Sequence, residues 1–207
     1  MWERIEVTGI PNIKCYLVIY VVFAMILLIL TIVDASQNNW YEYCFWNFGL
    51  EDADPIDSDE DTQTIGYFQD EVCSRDETFY SSACPGVCDH LKAFQHGGKV
   101  MTSLMIVSSF ATLCSGALHA LAICGRYSLR YFYIVWVSLA MLAWLSGIIA
   151  YGIITNIASF DDTKGSASNV EVKGGVGLCI FLVVFHLAVT IYAFIFTRKA
   201  FLFDLTP

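Results

Sequence analysis

Four uncharged, largely apolar runs set the limits on what this chain can fold into. They cover residues 15–33, 100–124, 131–155 and 174–197, and none of them contains Asp, Glu, Lys or Arg. At a rise of 1.5 Å per residue, roughly 20 residues of helix cross a hydrocarbon core about 30 Å thick. A mean hydropathy of +0.58 over 207 residues is also too apolar for one soluble domain. The sequence therefore predicts a membrane protein with four transmembrane helices.

Basic residues near the ends of these runs predict the orientation of the helices. Six of them fall on one side of the membrane if the four runs alternate in direction: Arg4, Lys14, Arg126, Arg130, Arg198 and Lys199. Because cytoplasmic loops carry an excess of Lys and Arg, both termini are expected in the cytoplasm of a multi-pass plasma-membrane protein, at a cell junction if it is adhesive. The predicted segments are a cytoplasmic N-terminus (1–14), the first helix (15–33), an extracellular loop (34–99), the second helix (100–124), a cytoplasmic link (125–130), the third helix (131–155), a short extracellular loop (156–173), the fourth helix (174–197) and a cytoplasmic tail (198–207).

The long loop concentrates the negative charge of the chain. Residues 35–99 contain thirteen acidic and three basic residues, a net charge of −10, whereas the whole chain carries −9. Much of the acidity lies in one predicted acidic surface: Glu51, Asp52, Asp54, Asp57, Asp59, Glu60 and Asp61. This charge argues against nucleic acid and anionic lipid as partners of the loop.

The alternating carboxylates of the acidic segment resemble the first ligands of an EF-hand. Thr62 stands where the motif needs glycine, and Phe68 stands where it needs a bidentate Glu, so no metal site is predicted. Residues 51–61 are expected to interrupt the strands and stay solvated. On either side, residues 40–50, 64–73 and 78–82 are rich in β-favouring types and predict antiparallel strands.

Eight cysteines divide between the loop and the helices. Four lie in the long loop, and an even number on an oxidising face predicts two disulfides, with three connectivities open: Cys44, Cys73, Cys84 and Cys88. Cys114 and Cys179 are expected to fill helix interiors. Cys15 and Cys124 fall at the cytoplasmic boundary, where they are candidates for S-palmitoylation.

Several of these features together resemble a known superfamily of four-helix membrane proteins. Trp40 precedes Gly66-Tyr67-Phe68, and Cys73 and Cys84 follow with ten residues between them. The superfamily has Gly-Leu-Trp at the position of Gly66-Tyr67-Phe68. This pattern is similar to that of the claudins, the peripheral myelin and epithelial membrane proteins, and the transmembrane AMPA-receptor regulatory proteins (TARPs). The resemblance implies a disulfide between Cys73 and Cys84, which leaves Cys44 and Cys88 as the second pair.

The predicted fold class is a mainly α membrane protein. We expect a left-handed four-helix transmembrane bundle with a small extracellular antiparallel β-sheet formed by the first loop. Pairs of small residues spaced by four along the helices favour close packing, within the chain or against a second protein: Ala111 and Ser115, Gly116 and Ala120, Ala143 and Gly147, and Ser146 and Ala150.

Few groups in the apolar runs could support catalysis or transport. The ionisable candidates are His119 and His186, and no carboxylate falls within the four runs to pair with them. Each is expected to donate a hydrogen bond between helices. The chain is therefore predicted to be no enzyme, to need no cofactor, and not to be a transporter.

Two functions remain open. The resemblance to claudins implies an adhesive or membrane-organising tetraspan that contacts itself or a claudin-like neighbour through its extracellular sheet. Such an assembly would favour cations if it lined a pore, because rings of carboxylates repel anions. The resemblance to TARPs implies instead an auxiliary subunit of an ion channel or receptor. A terminal proline is poorly suited to carboxylate-capturing scaffold domains, which favours short-tailed or auxiliary roles.

Overall fold

The computed structural model describes residues 13–37, 40–43, 46–50, 52–55, 63–64, 87–124, 132–155 and 171–197. Most of the described residues form four long helices: α1 (Ile13–Ala35), α2 (Val87–Ile123), α3 (Phe132–Thr155) and α4 (Gly174–Tyr192), which continues as one π-helical turn over Ala193–Thr197. All four are long and apolar enough to cross a membrane. The prediction of four helices that are long and apolar enough to span a membrane is thus confirmed.

The outward faces of the helices are lined by large apolar side chains. Ile153 is 72 % exposed, and Ile32 and Ile106 are each 66 % exposed. Every backbone polar group in the middle of a helix is satisfied within the helix, so such faces are suited to lipid rather than water. These side chains are the surface available for contact with acyl chains.

Two helices extend further than the apolar runs predict. The structure continues α1 through Asp34 and Ala35, and it begins α2 at Val87 rather than at residue 100. With 37 residues, α2 is about 55 Å long at 1.5 Å per residue, well beyond the hydrocarbon thickness. Lys92 and Lys99 therefore lie on a helix and not in a loop, because hydropathy identifies only the part of a helix that suits lipid.

The chain forms two compact units. The first, here called the helical unit, comprises Met1–Ile32, Ile106–Leu145 and Phe181–Pro207. The second, the sheet unit, comprises Val33–Met105 and Ser146–Ile180. Each helix contributes one part to each unit.

Within the helical unit, each helix contacts the next in sequence, and α4 contacts α1. The α1–α2 contact joins Tyr20 Oη and Ser115 Oγ at 2.5 Å. The α2–α3 contact is the hydrogen bond that Ser108 Oγ donates to Ala140 O at 2.9 Å. The α4–α1 contact is made by aromatic rings, in which Phe23 packs edge-on against the ring of Tyr192, with centroids 5.6 Å apart.

The remaining pair, α3 and α4, is joined by the stacked rings of Trp144 and His186, with centroids 5.3 Å apart. The four helices of this unit therefore form a closed ring of neighbours. Hydrogen bonds and close ring contacts replace the hydrophobic driving force, which is weak between helices in lipid.

The sheet unit contains five short antiparallel strands in the order β4-β3-β2-β1-β5. Their bounds are β1 (Tyr41–Tyr43), β2 (Trp46–Phe48), β3 (Asp52–Pro55), β4 (Gln63–Thr64) and β5 (Glu171–Val172). Tyr41 of β1 pairs with both Phe48 of β2 and Val172 of β5. The link between α3 and α4 thus joins a sheet otherwise built from the link between α1 and α2.

This sheet differs in two ways from the sequence expectation. Asp52–Pro55 was expected to interrupt the strands, but it forms β3 and pairs with β2, with Asn47 opposite Asp54. That expectation is wrong for these residues, because backbone pairing along β2 outweighs the low strand propensity of the acidic residues. The second difference is the fifth strand, which comes from the shorter link. The extracellular placement of the sheet and the left hand of the bundle stay predictions.

Candidate functional site

Trp40 is the point at which the first strand is attached to the helices of the sheet unit. Its side chain is only 2 % exposed, and its Nε1 donates a hydrogen bond to Asp34 O at the end of α1, at 3.2 Å. Its own carbonyl oxygen accepts a hydrogen bond from Lys173 N, directly before α4, at 3.0 Å. Its ring packs edge-on against Tyr151 of α3, with centroids 5.6 Å apart. One side chain and its backbone thus connect β1 to three helices.

Glycine at position 175 makes room for this indole. A Cβ atom at Gly175 would lie 2.5 Å from Cδ1 of Trp40, a distance that real Cβ contacts do not reach. The first turn of α4 can therefore approach the ring only because residue 175 has no side chain. The group formed by Asp34, Trp40, Tyr151, Lys173 and Gly175 is called the Trp40 anchor below.

A second attachment involves the first half of α2. A Cβ atom at Gly98 would overlap the carbonyl oxygen of Leu50, which follows β2 and is itself 2 % exposed. At the preceding residue, a Cβ atom at Gly97 would lie 2.9 Å from Cγ2 of Thr155. The Gly97-Gly98 pair lets α2 approach both the strand connection and the end of α3.

Asp34 is the most unusual residue of this region. Its side chain is fully buried, and neither carboxyl oxygen has a hydrogen-bond partner in the described part of the chain. The thiol of Cys179, on the second turn of α4, lies beside the carboxyl group. Sequence analysis missed this residue because Asp34 directly follows the first apolar run. The expectation that no carboxylate belongs to a spanning helix is wrong, since α1 includes Asp34.

The helical unit contains a buried cluster of polar rings around His119. The imidazole stacks on the ring of Tyr20 with centroids 3.8 Å apart, and it meets Tyr133 edge-on at 5.3 Å. Its Nδ1 lies 2.8 Å from Ser115 O. A carbonyl oxygen can only accept, so Nδ1 carries the proton and donates. This hydrogen bond stays within α2. His119 contacts α1 by stacking on the ring of Tyr20, and it contacts α3 by an edge-on approach to the ring of Tyr133.

His186 occupies a similar position on α4. It is 3 % exposed and stacks on Trp144, which is fully buried. His186 Nε2 and Trp144 Nε1 have no hydrogen-bond partner among the residues that the structure describes. Both predicted histidines therefore lie in the core and pack against aromatic rings of neighbouring helices.

The structure also places the small residues that were singled out from the sequence. Ala111, Ser115, Ala143 and Gly147 are buried within the chain, and a Cβ atom at Gly147 would lie 2.8 Å from the sulfur of Met101. Ser146 is exposed and Ala150 is half-buried on the same helix. The pairs Ala111–Ser115 and Ala143–Gly147 are thus used for packing inside the chain, whereas Ser146–Ala150 on α3 and Gly116–Ala120 on α2 reach the surface.

The predicted cysteine positions fall into two groups. Cys15, Cys114, Cys124 and Cys179 are free thiols, and Cys15 and Cys124 are exposed at helix ends. Their exposure leaves them accessible for acylation, which stays a prediction. Cys44, Cys73 and Cys84 lie outside the described residues, as do Gly66, Tyr67, Phe68, Glu51, Asp57, Asp59, Glu60 and Asp61. Cys88 lies on α2, but its side chain is not among those described.

The described side chains of this region hold strands and helices together. No group of three or more His, Cys, Asp or Glu residues that could hold a metal ion occurs among the residues described. What the geometry does provide is a rigid joint between strands and helices at the Trp40 anchor. Such a joint fixes the position of whatever surface the sheet presents.

Comparison with other proteins supplies no relative. No model of a known protein family matches the chain, and no curated protein matches it either.

Proposed function

We propose that this chain is a non-enzymatic, claudin-like tetraspan that acts through protein contacts of an extracellular sheet, either laterally or between cells. The observation that carries the proposal is the Trp40 anchor. It ties β1 to α1, α3 and α4 through two hydrogen bonds and a buried ring. A sheet attached in this way presents a fixed surface, and preorganisation of a binding surface lowers the entropic cost of association.

The proposed orientation rests on charge. Six of the eleven basic residues lie next to the helix ends opposite to the links that form the sheet, as expected for cytoplasmic loops. In the proposal both termini lie in the cytoplasm of a plasma-membrane protein, and the acidic segment at 51–61 faces outward. An assembly that lined a pore with these carboxylates would favour cations. Disulfides within the long loop would strengthen the small sheet.

The absence of catalysis is proposed from the use that the fold makes of its buried polar groups. His119 and His186 are packed against aromatic rings and support helix contacts. The hydroxyl of Ser108 is likewise used to bond the backbone of α3. These groups stabilise contacts between helices of the bundle.

A second candidate function is that of an auxiliary subunit of a channel or receptor, as in the TARPs. One observation favours it, the outward face of α3. Ser146 and Gly152 are exposed there, and a Cβ atom at Gly152 would meet nothing within 4 Å. Small residues among large apolar ones let a partner helix approach closely. In this alternative the partner binds laterally through helices as well as through the sheet.

Purification at native expression in a gentle detergent separates the two functions. The adhesive proposal predicts self-association or co-purification with claudin-like neighbours, together with enrichment at contacts between cells. A stoichiometric channel or receptor subunit in the purified complex would favour the auxiliary alternative. Recovery of the chain as a monomer, spread evenly over the cell surface, would contradict both.

A further inference from the structure

The buried carboxyl group of Asp34 is not explained by the proposed function. The residue lies in the last turn of α1, it is 0 % exposed, and both of its oxygens lack hydrogen-bond partners in the described part of the structure. A polar side chain with that degree of burial normally has its hydrogen bonds satisfied. An ionisable residue inside a spanning helix is, by default, a candidate functional group with a partner to be named.

An ionised carboxylate is a poor fit to this position. Removing a carboxylate from water without a compensating partner is very costly, and the group neutralises instead. The nearby side chain from α4 is the thiol of Cys179, which is itself buried and uncharged as a free thiol. We propose that Asp34 is a proton-binding site, in which the carboxyl group holds one proton in the folded protein.

The groups that surround Asp34 support a proton as the occupant. On α4, the titratable group beside the carboxyl group of Asp34 is the thiol of Cys179. On α3, the nearest titratable group described is Tyr151, whose ring packs against Trp40. On the described part of α2, Lys92, His96 and Lys99 are exposed, and none of them bonds to the carboxyl oxygens. A proton needs one lone pair, whereas a bound Ca²⁺ takes six to eight oxygen ligands. Lys173 belongs to the same Trp40 anchor, and it too makes no hydrogen bond to the carboxyl oxygens. No group of three or more His, Cys, Asp or Glu residues that could hold a metal ion includes Asp34 among the residues that the structure describes.

The position of Asp34 connects this proton to the attachment of the sheet. The backbone oxygen of the same residue accepts hydrogen bonds from Trp40 Nε1 at 3.2 Å and from Gln37 N at 3.3 Å. Loss of the proton would leave a buried charge, which can be hydrated only if the last turn of α1 opens. Opening that turn moves the acceptor to which Trp40 is bonded. Deprotonation of Asp34 therefore releases the Trp40 anchor.

Infrared difference spectroscopy on the purified full-length chain tests the proton directly. The wild type is compared with Asp34→Asn, a neutral variant of the same shape, and with Asp57→Asn, which removes a carboxylate from the acidic segment. At neutral pH we expect the carbonyl band of a protonated acid in the wild type and in Asp57→Asn, and its loss in Asp34→Asn. Asp34→Glu keeps a carboxyl group at this position, and we expect it to shift the band rather than abolish it.

Thermal unfolding against pH gives an independent measure that does not depend on assigning the band. The folded chain holds the proton, and the unfolded chain exposes the carboxyl to water and releases it. Stability of the wild type should therefore fall as the pH rises through the titration of folded Asp34, whereas that of Asp34→Asn should not show this loss.

Two results would overturn the proposal. The first is an identical acid carbonyl region in the wild type and Asp34→Asn, with parallel stability profiles. The second is stabilisation of the wild type, but not of Asp34→Asn, by Na⁺, K⁺ or Ca²⁺ at fixed pH, which would make Asp34 a ligand of a metal ion. If Asp34→Asn does not fold, an Asp34→Glu protein without any shift in the band contradicts the proposal equally.

Discussion

At the scale of single residues, Trp40 shows how one side chain can fix a strand to several helices. Its indole is buried where α1, α3 and α4 meet. Trp40 Nε1 donates a hydrogen bond to Asp34 O in the last turn of α1, and Trp40 O accepts one from Lys173 N directly before α4. Tryptophan suits this position because it combines a large apolar ring with one donor that must be satisfied when buried. Phenylalanine could supply the ring but not the donor.

Substitution of Trp40 by Phe should destabilise the folded protein by about 1 kcal/mol beyond the change in ring size, because Asp34 O loses its indole donor. Denaturant unfolding in detergent micelles measures this change. Trp136→Phe is the matched control, since Trp136 is half-buried and makes an edge-on contact with Phe110 that a smaller ring can keep. Equal losses for the two variants would contradict the role assigned to the hydrogen bond.

The Tyr20–Ser115 contact permits a second test at this scale. The two hydroxyl oxygens lie 2.5 Å apart in a buried position, and hydrogen bonds between membrane helices couple by about 0.6 kcal/mol on average and by up to about 1.7 kcal/mol. A double-mutant cycle with Tyr20→Phe and Ser115→Ala should give a coupling energy in that range. Tyr20→Phe combined with Ser103→Ala, whose hydroxyl bonds Lys99 O, should give none. A coupling near zero in the first cycle would show that the contact does not stabilise the α1–α2 pair.

At the scale of elements, the first part of α2 packs closely against the backbone of Leu50, which follows β2. Gly98 is buried, and any side chain there would overlap the backbone of Leu50. Backbone atoms cannot move aside as the end of a flexible side chain can. The first part of α2 is therefore held against the strand connection by the absence of a side chain.

Gly98→Ala should destabilise the protein by about 1–3 kcal/mol, the usual cost of overpacking, although alanine favours helix formation by about 1 kcal/mol. Gly152→Ala on α3 is the control, because a Cβ atom there meets nothing within 4 Å. We expect the control to be neutral or slightly stabilising in the same unfolding assay. Equal tolerance of both substitutions would contradict the close approach of α2 to Leu50.

The elements also show what the sequence could and could not predict. Uncharged runs of about 20 residues identified the four helices, because lipid selects strongly for such runs. The extension of α2 back to Val87 was missed, since residues 87–99 are polar and their helix has no apolar run to reveal it. β3 was missed because strand pairing with β2 overrides local propensity at Asp52–Pro55.

The same contrast holds for the candidate site. Trp40 was singled out by the resemblance, but its partners Tyr151 and Gly175 come from distant parts of the chain, and no local pattern predicts that they meet. Asp34 carried one usable signal, an acidic residue directly after an apolar run that a helix can extend to include. The ring stacking of His119 on Tyr20 depends on how α1 and α2 face each other, which periodicity does not determine.

At the scale of the whole molecule, the pairing of β1 with β5 brings the first and third links together on one side. In the proposed topology the helices cross the membrane in alternate directions, so the side on which one link lies determines the side of every other link. The proposed orientation places the paired links outside the cell, because six of the eleven basic residues lie next to the other helix ends.

Insertion of an epitope tag after Asp57 tests this orientation. Antibody should bind the tag on intact cells, since residues 51–61 belong to the link that is proposed to be extracellular. A tag at the C-terminus should bind antibody only after permeabilisation. The opposite pattern would reverse the orientation and remove the basis for contacts between cells.

The most direct test of the central claim is site-specific photo-crosslinking on intact cells from two positions. One crosslinking residue replaces Asp57 in the acidic segment, and the other replaces Ile153, the most exposed large apolar residue described on the helices. The proposed function predicts that position 57 crosslinks to a second membrane protein, or to a second copy of this chain, while position 153 crosslinks to lipid. Protein adducts from position 153 with none from position 57 would contradict the account and place the partner contact on the helices instead of the sheet.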